Sequence, residues 1–103
     1  MERRVLGKSG LDVPVIGMGT WQTFYVQGTA AEQNARAVVD RALQAGASFF
    51  DSSPMYGEAE RVLGETLCGR REQVMVATKV WAPSGNEGEA QARRALSFFW
   101  RVY

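Results

Sequence analysis

Three side chains in this sequence could act together in proton donation: Asp51, Tyr56 and Lys79. Asp51 ends the apolar run ASFF (47–50), Tyr56 follows on a glycine turn, and Lys79 lies in the β-rich run QVMVATKVW (73–81). A free phenol, with a pKa of about 10, donates protons poorly at neutral pH. A neighbouring cation stabilises the phenolate and lowers that pKa, and a carboxylate can hold the cation in place. The set therefore indicates proton donation to a carbonyl oxygen during reduction.

Reduction of a carbonyl also requires hydride, which no side chain can supply. A nicotinamide or flavin cofactor is therefore expected. Each of the three residues also has a structural interpretation. Asp51 could cap a turn with Ser52 and Ser53, Lys79 could extend from a strand end towards solvent, and Tyr56 could cover the core.

The pattern of turns and apolar residues predicts an N-terminal β-hairpin over residues 1–14, with Gly7-Lys8-Ser9-Gly10 at its turn. Strands and helices then alternate, with strands near 15–21, 47–51 and 73–81 and helices near 29–46, 58–68 and after the loop at 82–89. Alternation of this kind predicts parallel βαβ units with right-handed crossovers. Asp51 and Lys79 would then lie at the carboxyl ends of neighbouring strands, where function collects in such folds.

Helix boundaries and packing faces can also be predicted. Thr29 and Glu32 have the spacing of a capping box, and Gly46 is typical of a helix end. The third helix is expected to bury one stripe formed by Ala92, Ala95, Leu96 and Phe99.

The strands carry signals of their own. Phe49-Phe50 and residues 74–77 are apolar without alternation, which predicts strands that are covered on both faces. Gly17 and Gly19 occupy alternate positions where a neighbour or ligand could need room. They lack the third glycine of a dinucleotide-binding fingerprint.

The bulk composition excludes several classes of function. The chain has 103 residues, 46 % of them apolar, and a formal net charge of +1 without a basic patch, so neither nucleic acid nor a membrane is an expected partner. It contains no histidine, and we expect no metal site. The single cysteine, Cys68, cannot form an internal disulfide, which predicts a reducing, cytoplasmic location.

Three segments carry a resemblance to a known family. RRVLGKSGLDVPVIGMGTW (3–21) resembles the opening hairpin and first barrel strand of aldo-keto reductases. FFDSSPMYGEAERVLGETL (49–67) resembles their signature around the catalytic aspartate and tyrosine, and VMVATKVW (74–81) resembles the strand that delivers the catalytic lysine. The resemblance extends from residue 3 to about residue 97, and the segments occur in the expected order.

This resemblance implies the α/β fold class, specifically the N-terminal portion of an eight-stranded (β/α) TIM barrel. The hairpin and about three βα units would be present, and the barrel would be incomplete within 103 residues. The family's fourth catalytic residue, usually histidine at the end of the fourth strand, has no counterpart here. Residues 101–103 resemble the beginning of that fourth strand.

The resemblance also implies roles for individual residues. Tyr56 would donate the proton, Lys79 would lower the pKa of that phenol, and Asp51 would be the partner of the lysine. NADPH would supply the hydride, and a small-molecule carbonyl compound would be the substrate. The residues expected to border the cofactor are Gly19, Thr20, Trp21 and Asp51, and those expected to contact substrate are Trp21 and Trp81. Trp81 could instead be an ordinary rim tryptophan.

Two functions remain open at this point. The chain could belong to an NADPH-dependent oxidoreductase that reduces aldehydes or ketones to alcohols. It could also be a catalytically inactive barrel fragment that serves as a structural or interaction module. In either case an open sheet edge would favour self-association.

Overall fold

The computed structural model describes residues 1–100. Within that range, strands and helices follow one another in the predicted order. The strands are β1 (Arg3–Val5), β2 (Asp12–Pro14), β3 (Met18–Gly19), β4 (Phe49–Asp51) and β5 (Met75–Ala77), and the helices are α1 (Thr29–Gln44), α2 (Ala59–Thr66) and α3 (Gly85–Phe99). The predicted beginning of a fourth barrel strand, at 101–103, lies outside the described residues.

Strands β1 and β2 form an antiparallel hairpin in which Arg3 lies opposite Pro14. The amide of Leu6 donates a hydrogen bond to the carbonyl of Leu11 at 2.8 Å and closes the turn. The Arg3 guanidinium also binds the Asp12 carboxylate at 2.9 Å. The hairpin is a sheet of its own, separate from the sheet that carries the candidate site.

Strands β3, β4 and β5 form a parallel sheet in that order. Gly19 pairs with Asp51, and Asp51 pairs with Ala77, so the three carboxyl ends reach the same edge of the sheet. The strands are shorter than the apolar runs predicted, because the chain leaves the ladder just after Ala77. The backbone of Trp81 then pairs with the Gln91 side chain instead of with a strand.

The helices pack on one face of this sheet. Phe50 is fully buried among helix residues, whereas Phe49 and Asp51, on the opposite face of the same strand, are partly exposed. The prediction that the strands are covered on both faces was therefore wrong within residues 1–100, because no second layer packs on the other face. The main buried cluster comprises Phe24, Ala35, Val39, Phe50, Ala59, Val62, Leu63, Leu67, Val74, Ala95 and Phe99.

The boundaries of α1 were predicted in part. Its carboxyl end is confirmed, because the Gly46 amide donates to the Leu43 carbonyl at 3.0 Å just beyond the last helical turn. The predicted capping box at Thr29 was wrong. The capping residue is Gly28, and the Glu32 carboxylate accepts a hydrogen bond from its amide at 3.1 Å. Glycine can occupy the capping position without a side-chain hydrogen bond. A search for capping Ser or Thr residues therefore does not find it.

Helix α3 begins earlier than the sequence indicated. Ser84 is its cap and accepts a hydrogen bond from the Glu87 amide at 3.2 Å, so residues 85–89 are helical rather than loop. The predicted apolar stripe is half correct: Ala95 and Phe99 are buried, whereas Leu96 is 53 % exposed and Ala92 is also exposed. No element among residues 1–100 covers this part of the helix.

Candidate active site

The predicted site residues lie at the carboxyl edge of the parallel sheet. Asp51 is the last residue of β4, and the Ser52 amide donates to the Ala77 carbonyl at 2.8 Å, which fixes the two strand ends together. Lys79 follows Ala77 by two positions. Tyr56 lies in the loop that leaves β4, where its amide donates to the Ser53 carbonyl at 3.1 Å.

The Lys79 ammonium is the electrostatic centre of the site. It donates to both carboxylate oxygens of Asp51 at 2.9 Å and to the Ser52 carbonyl at 2.7 Å. Burial alone would lower the pKa of Lys79, but the Asp51 carboxylate and the Tyr56 phenol outweigh it, so the net pKa is raised. The ammonium is therefore charged throughout the neutral range. The predicted salt-bridge proximity of Lys79 and Asp51 is confirmed.

The phenol of Tyr56 lies beside this cation. The Lys79 ammonium lies 5.0 Å from the centroid of the Tyr56 ring, within the range of a cation–π contact. On another side, the ring of Trp21 is tilted at 41° to the phenol with centroids 6.4 Å apart. Tyr56 is half-buried, and it lies close to both a cation and an exposed aromatic side chain.

The loop after β3 is bonded to the end of β4 beside the site. Thr20 is fully buried, and its hydroxyl donates to the Asp51 carbonyl at 2.9 Å, so this side chain ties the first strand end to the second. A Cβ added at Gly17 would lie 2.8 Å from the Phe49 carbonyl, which confirms the need for room at that glycine. At Gly19 the same position faces open space.

Trp81 lies at the rim, with 67 % of its surface exposed. Its backbone amide donates to the Gln91 side chain at 2.8 Å, and its carbonyl accepts from the same side chain at 2.8 Å. This two-point bond replaces the strand pairing that the chain has left. It holds the loop after Lys79 against α3.

Sequence reasoning missed four residues around the site: Gln91, Tyr25, Glu60 and Thr78. Tyr25 packs on the turn after Tyr56, and Thr78 donates from its hydroxyl to the Glu60 carboxylate at 2.7 Å. Glu60 falls within the segment that carries the family resemblance, so a signal for it was present. The positions of Gln91 and Tyr25 depend on tertiary packing, which leaves no local pattern in the sequence.

Residues 1–100 hold no group of three or more Cys, Asp or Glu side chains arranged to bind a metal ion. None of the helices in the same range combines the length and apolarity needed to cross a lipid bilayer.

Comparison with known proteins establishes the family of this chain. The family model described as "Aldo/keto reductase family" matches residues 15–97. The chain belongs to the aldo-keto reductase family. This confirms the resemblance drawn from the three sequence segments, and with it the fold: an N-terminal portion of a (β/α) TIM barrel whose sheet is not closed within residues 1–100.

Two curated relatives and one solved structure illustrate the extent of the similarity. Pyridoxal 4-dehydrogenase from Microbacterium luteolum is 34 % identical over 88 residues, covering 84 % of this chain and 26 % of that protein. A probable voltage-gated potassium channel subunit beta from Oryza sativa subsp. japonica is 35 % identical over 102 residues, covering 93 % of this chain and 30 % of that protein. The Klebsiella pneumoniae aldo-keto reductase in complex with NADPH superimposes with a TM-score of 0.75 at 26 % identity, over 91 % of this chain and 34 % of that one. The chain therefore spans between about a quarter and a third of the length of these relatives.

Proposed function

We propose that this chain is the part of an NADPH-dependent oxidoreductase that carries the proton donor for reduction of aldehydes or ketones to alcohols. The observation that carries the proposal is the Lys79 ammonium, which is bound to Asp51 at 2.9 Å and lies against the Tyr56 ring. A phenol beside a permanent cation is suited to proton donation at neutral pH, because the cation stabilises the phenolate that remains.

The proton transfer can be written for this chain's own residues. As the carbonyl carbon gains hydride, its oxygen gains the proton of the Tyr56 hydroxyl, and the alcohol forms. The resulting tyrosinate is held by the Lys79 ammonium until solvent returns a proton. Asp51 keeps the ammonium in place, since both of its carboxylate oxygens accept from it. Asp51 and Lys79 thus act on the reaction through Tyr56.

NADPH supplies the hydride when it is bound. The loop after β3 fits a planar ring: Gly19 faces open space, and the Trp21 side chain is 60 % exposed. We propose that Gly19, Trp21 and Asp51 border the nicotinamide, and that Thr20 does so through its backbone, because its hydroxyl is bound to the Asp51 carbonyl. The NADPH complex of the Klebsiella pneumoniae relative supports this choice of cofactor.

The substrate class follows from the surroundings of the phenol. Trp21 and Trp81 expose apolar surface on the strand edge that carries Tyr56, which suits a small carbonyl compound with an apolar or aromatic body. The Microbacterium luteolum relative is named for pyridoxal, an aromatic aldehyde. We therefore propose reactive aldehydes, aromatic ones included, as the first substrates to test.

A second candidate function is that of an interaction module without catalysis. Its support is the open apolar surface beside β5, to which Leu96 and Trp100 contribute with 53 % and 64 % exposure. The rice relative, named as a channel subunit, is also consistent with such a role. The same surface would mediate the self-association predicted for an open sheet edge.

Two further predictions stay proposals. We assign residues 1–103 to a single barrel domain, with the hairpin at 1–14 as its N-terminal element. A cytoplasmic location is supported by the free thiol of Cys68.

The test of the proposed function needs a complete barrel. Residues 1–97 of this chain would replace the equivalent segment of the Klebsiella pneumoniae aldo-keto reductase, giving what we call the fusion barrel. We expect the fusion barrel to consume NADPH in the presence of 4-nitrobenzaldehyde. A folded fusion barrel that binds NADPH but shows no reduction would refute the oxidoreductase proposal and favour the interaction module.

A further inference from the structure

Helix α2 buries a carboxylate next to the site. Glu60 is 4 % exposed and is the only charged residue in the buried set of residues 1–100. Burial raises the pKa of Glu60, while the Thr78 hydrogen bond and the charges of Arg94 and Lys79 act in the opposite direction. Buried carboxylates are costly unless they are paired or hydrogen-bonded. The burial of the Glu60 carboxylate is therefore expected to depend on its hydrogen bond to Thr78.

The Glu60–Thr78 hydrogen bond connects the two segments that carry Tyr56 and Lys79. Glu60 lies in the first turn of α2, four positions after Tyr56. Thr78 directly precedes Lys79, and its hydroxyl donates to the Glu60 carboxylate at 2.7 Å. This hydrogen bond therefore joins the segment that carries the phenol to the segment that carries the ammonium.

The Glu60–Thr78 bond lies just beyond the last backbone hydrogen bond between β4 and β5. The last pairing between the two strands is the bond from the Ser52 amide to the Ala77 carbonyl. Beyond Ala77 the chain is no longer in a strand, yet the Lys79 side chain must still reach Asp51 and Tyr56. A lysine side chain has several rotatable bonds and loses much rotamer freedom when it is fixed. Holding its backbone through the adjacent Thr78 limits the positions that its ammonium can reach.

We propose that Glu60 and Thr78 are positioning residues whose hydrogen bond holds Lys79 where its ammonium spans Asp51 and Tyr56. The bond is charge-assisted and its acceptor carboxylate is buried, so it is stronger than a neutral bond between two exposed groups. The catalytic meaning of this pair rests on the proposed function. The placement of Lys79 can be measured without any turnover.

The chain offers an internal reference for this measurement, because it contains only two lysines, Lys8 and Lys79. Lys8 lies in the exposed hairpin turn. Competitive acetylation of the full chain at limiting reagent, read by peptide mass spectrometry, gives the ratio of the Lys79 rate to the Lys8 rate. In the parent chain the ratio is expected to be low, because the Lys79 ammonium is paired and remains protonated.

Removing the link should raise this ratio. We expect Thr78→Val to raise it at least about fivefold, because the loss of even an ordinary hydrogen bond changes the population by about that factor. Thr78→Ser keeps the hydroxyl and should retain the parent ratio. Glu60→Gln keeps an acceptor and should stay within about twofold of the parent, because a neutral bond is weaker than a charge-assisted one.

A matched control separates positioning from general loosening of the fold. Thr66 is also buried on α2, and its hydroxyl donates to the Leu63 carbonyl within the same helix. Thr66→Val should therefore leave the ratio unchanged. Should Thr78→Val fail to fold by circular dichroism, Glu60→Met breaks the same bond with an apolar side chain that suits a buried site, and should raise the ratio equally.

The proposal is overturned if the variant lacking the link keeps the parent ratio, or if Thr66→Val raises the ratio as much. Both outcomes are independent of activity. An inactive fusion barrel combined with the predicted acetylation ratios would refute the proposed function and leave the positioning of Lys79 intact.

Discussion

The Lys79 ammonium contacts both carboxylate oxygens of Asp51, at 2.9 Å each. Lys79 lies two residues after the end of β5, the strand next to the one that Asp51 ends. A third bond, to the Ser52 carbonyl at 2.7 Å, leaves the ammonium with three acceptors. Three donors are all that an ammonium has. The cation next to Tyr56 is therefore fixed by its own hydrogen bonds as well as by charge.

The ion pair should contribute to stability in a pH-dependent way. Because the pKa of Lys79 is raised in the folded chain, its contribution is fully present below the ordinary value of 10.5 and is lost as pH rises through the folded pKa. Lys79→Met should lower the free energy of unfolding at neutral pH by at most about 1 kcal/mol, since both partners are over a third exposed. Denaturant unfolding at neutral and strongly alkaline pH measures this, with Lys8→Met as the control. An equal loss from Lys79→Met at both pH values would contradict the assignment.

The order of the elements could be predicted because each one leaves a local pattern. The apolar spacing of α1 and the glycine at its end predicted that helix. Asp51 marked the end of β4 because a charge interrupts an apolar run there, and Lys79 marked the end of β5 to within two residues. The exposure of Leu96 could not be predicted, because helical spacing shows which side chains share a face but not whether another element covers that face. The Glu60–Thr78 bond was missed because it joins residues distant in sequence, and no local pattern shows that their side chains meet.

The turn after Tyr56 should tolerate only glycine. Gly57 has a φ of +55°, and an added Cβ would collide with the ring of Tyr25. Gly57→Ala should lower the free energy of unfolding by about 1 kcal/mol or more, from backbone strain and displacement of that ring. Gly69→Ala is the matched control, since Gly69 also has positive φ but has no atom within 4 Å of the added Cβ. If both variants lose the same stability, Tyr25 does not pack on this turn as described.

The open apolar surface beside β5 should drive association of the isolated chain. Leu96 is 53 % exposed there, and burying a leucine side chain contributes about 1.5–3 kcal/mol. Leu96→Lys should therefore weaken self-association about tenfold or more in sedimentation equilibrium. Ala90→Lys adds the same charge at an exposed position elsewhere on α3 and should change it little. A chain that is monomeric at all concentrations would show that this surface does not mediate association.

The isolated 103-residue chain is expected to be inactive. Tyr56 can donate a proton, but the reaction is fast only when hydride and carbonyl are held in line, and positioning of that kind supplies about 7–11 kcal/mol of the barrier. We expect no measurable oxidation of NADPH by the isolated chain with 4-nitrobenzaldehyde. Robust turnover would contradict this and would mean that residues 1–103 suffice to position both reactants.

The most direct test of the account is the effect of Tyr56→Phe in the fusion barrel. This change removes the hydroxyl and keeps the ring that contacts Lys79 and Trp21. We predict that turnover of 4-nitrobenzaldehyde falls about 10²-fold or more, while the NADPH dissociation constant, read from cofactor fluorescence, changes little. A fusion barrel that keeps full turnover with Tyr56→Phe would contradict the central claim that Tyr56 is the proton donor.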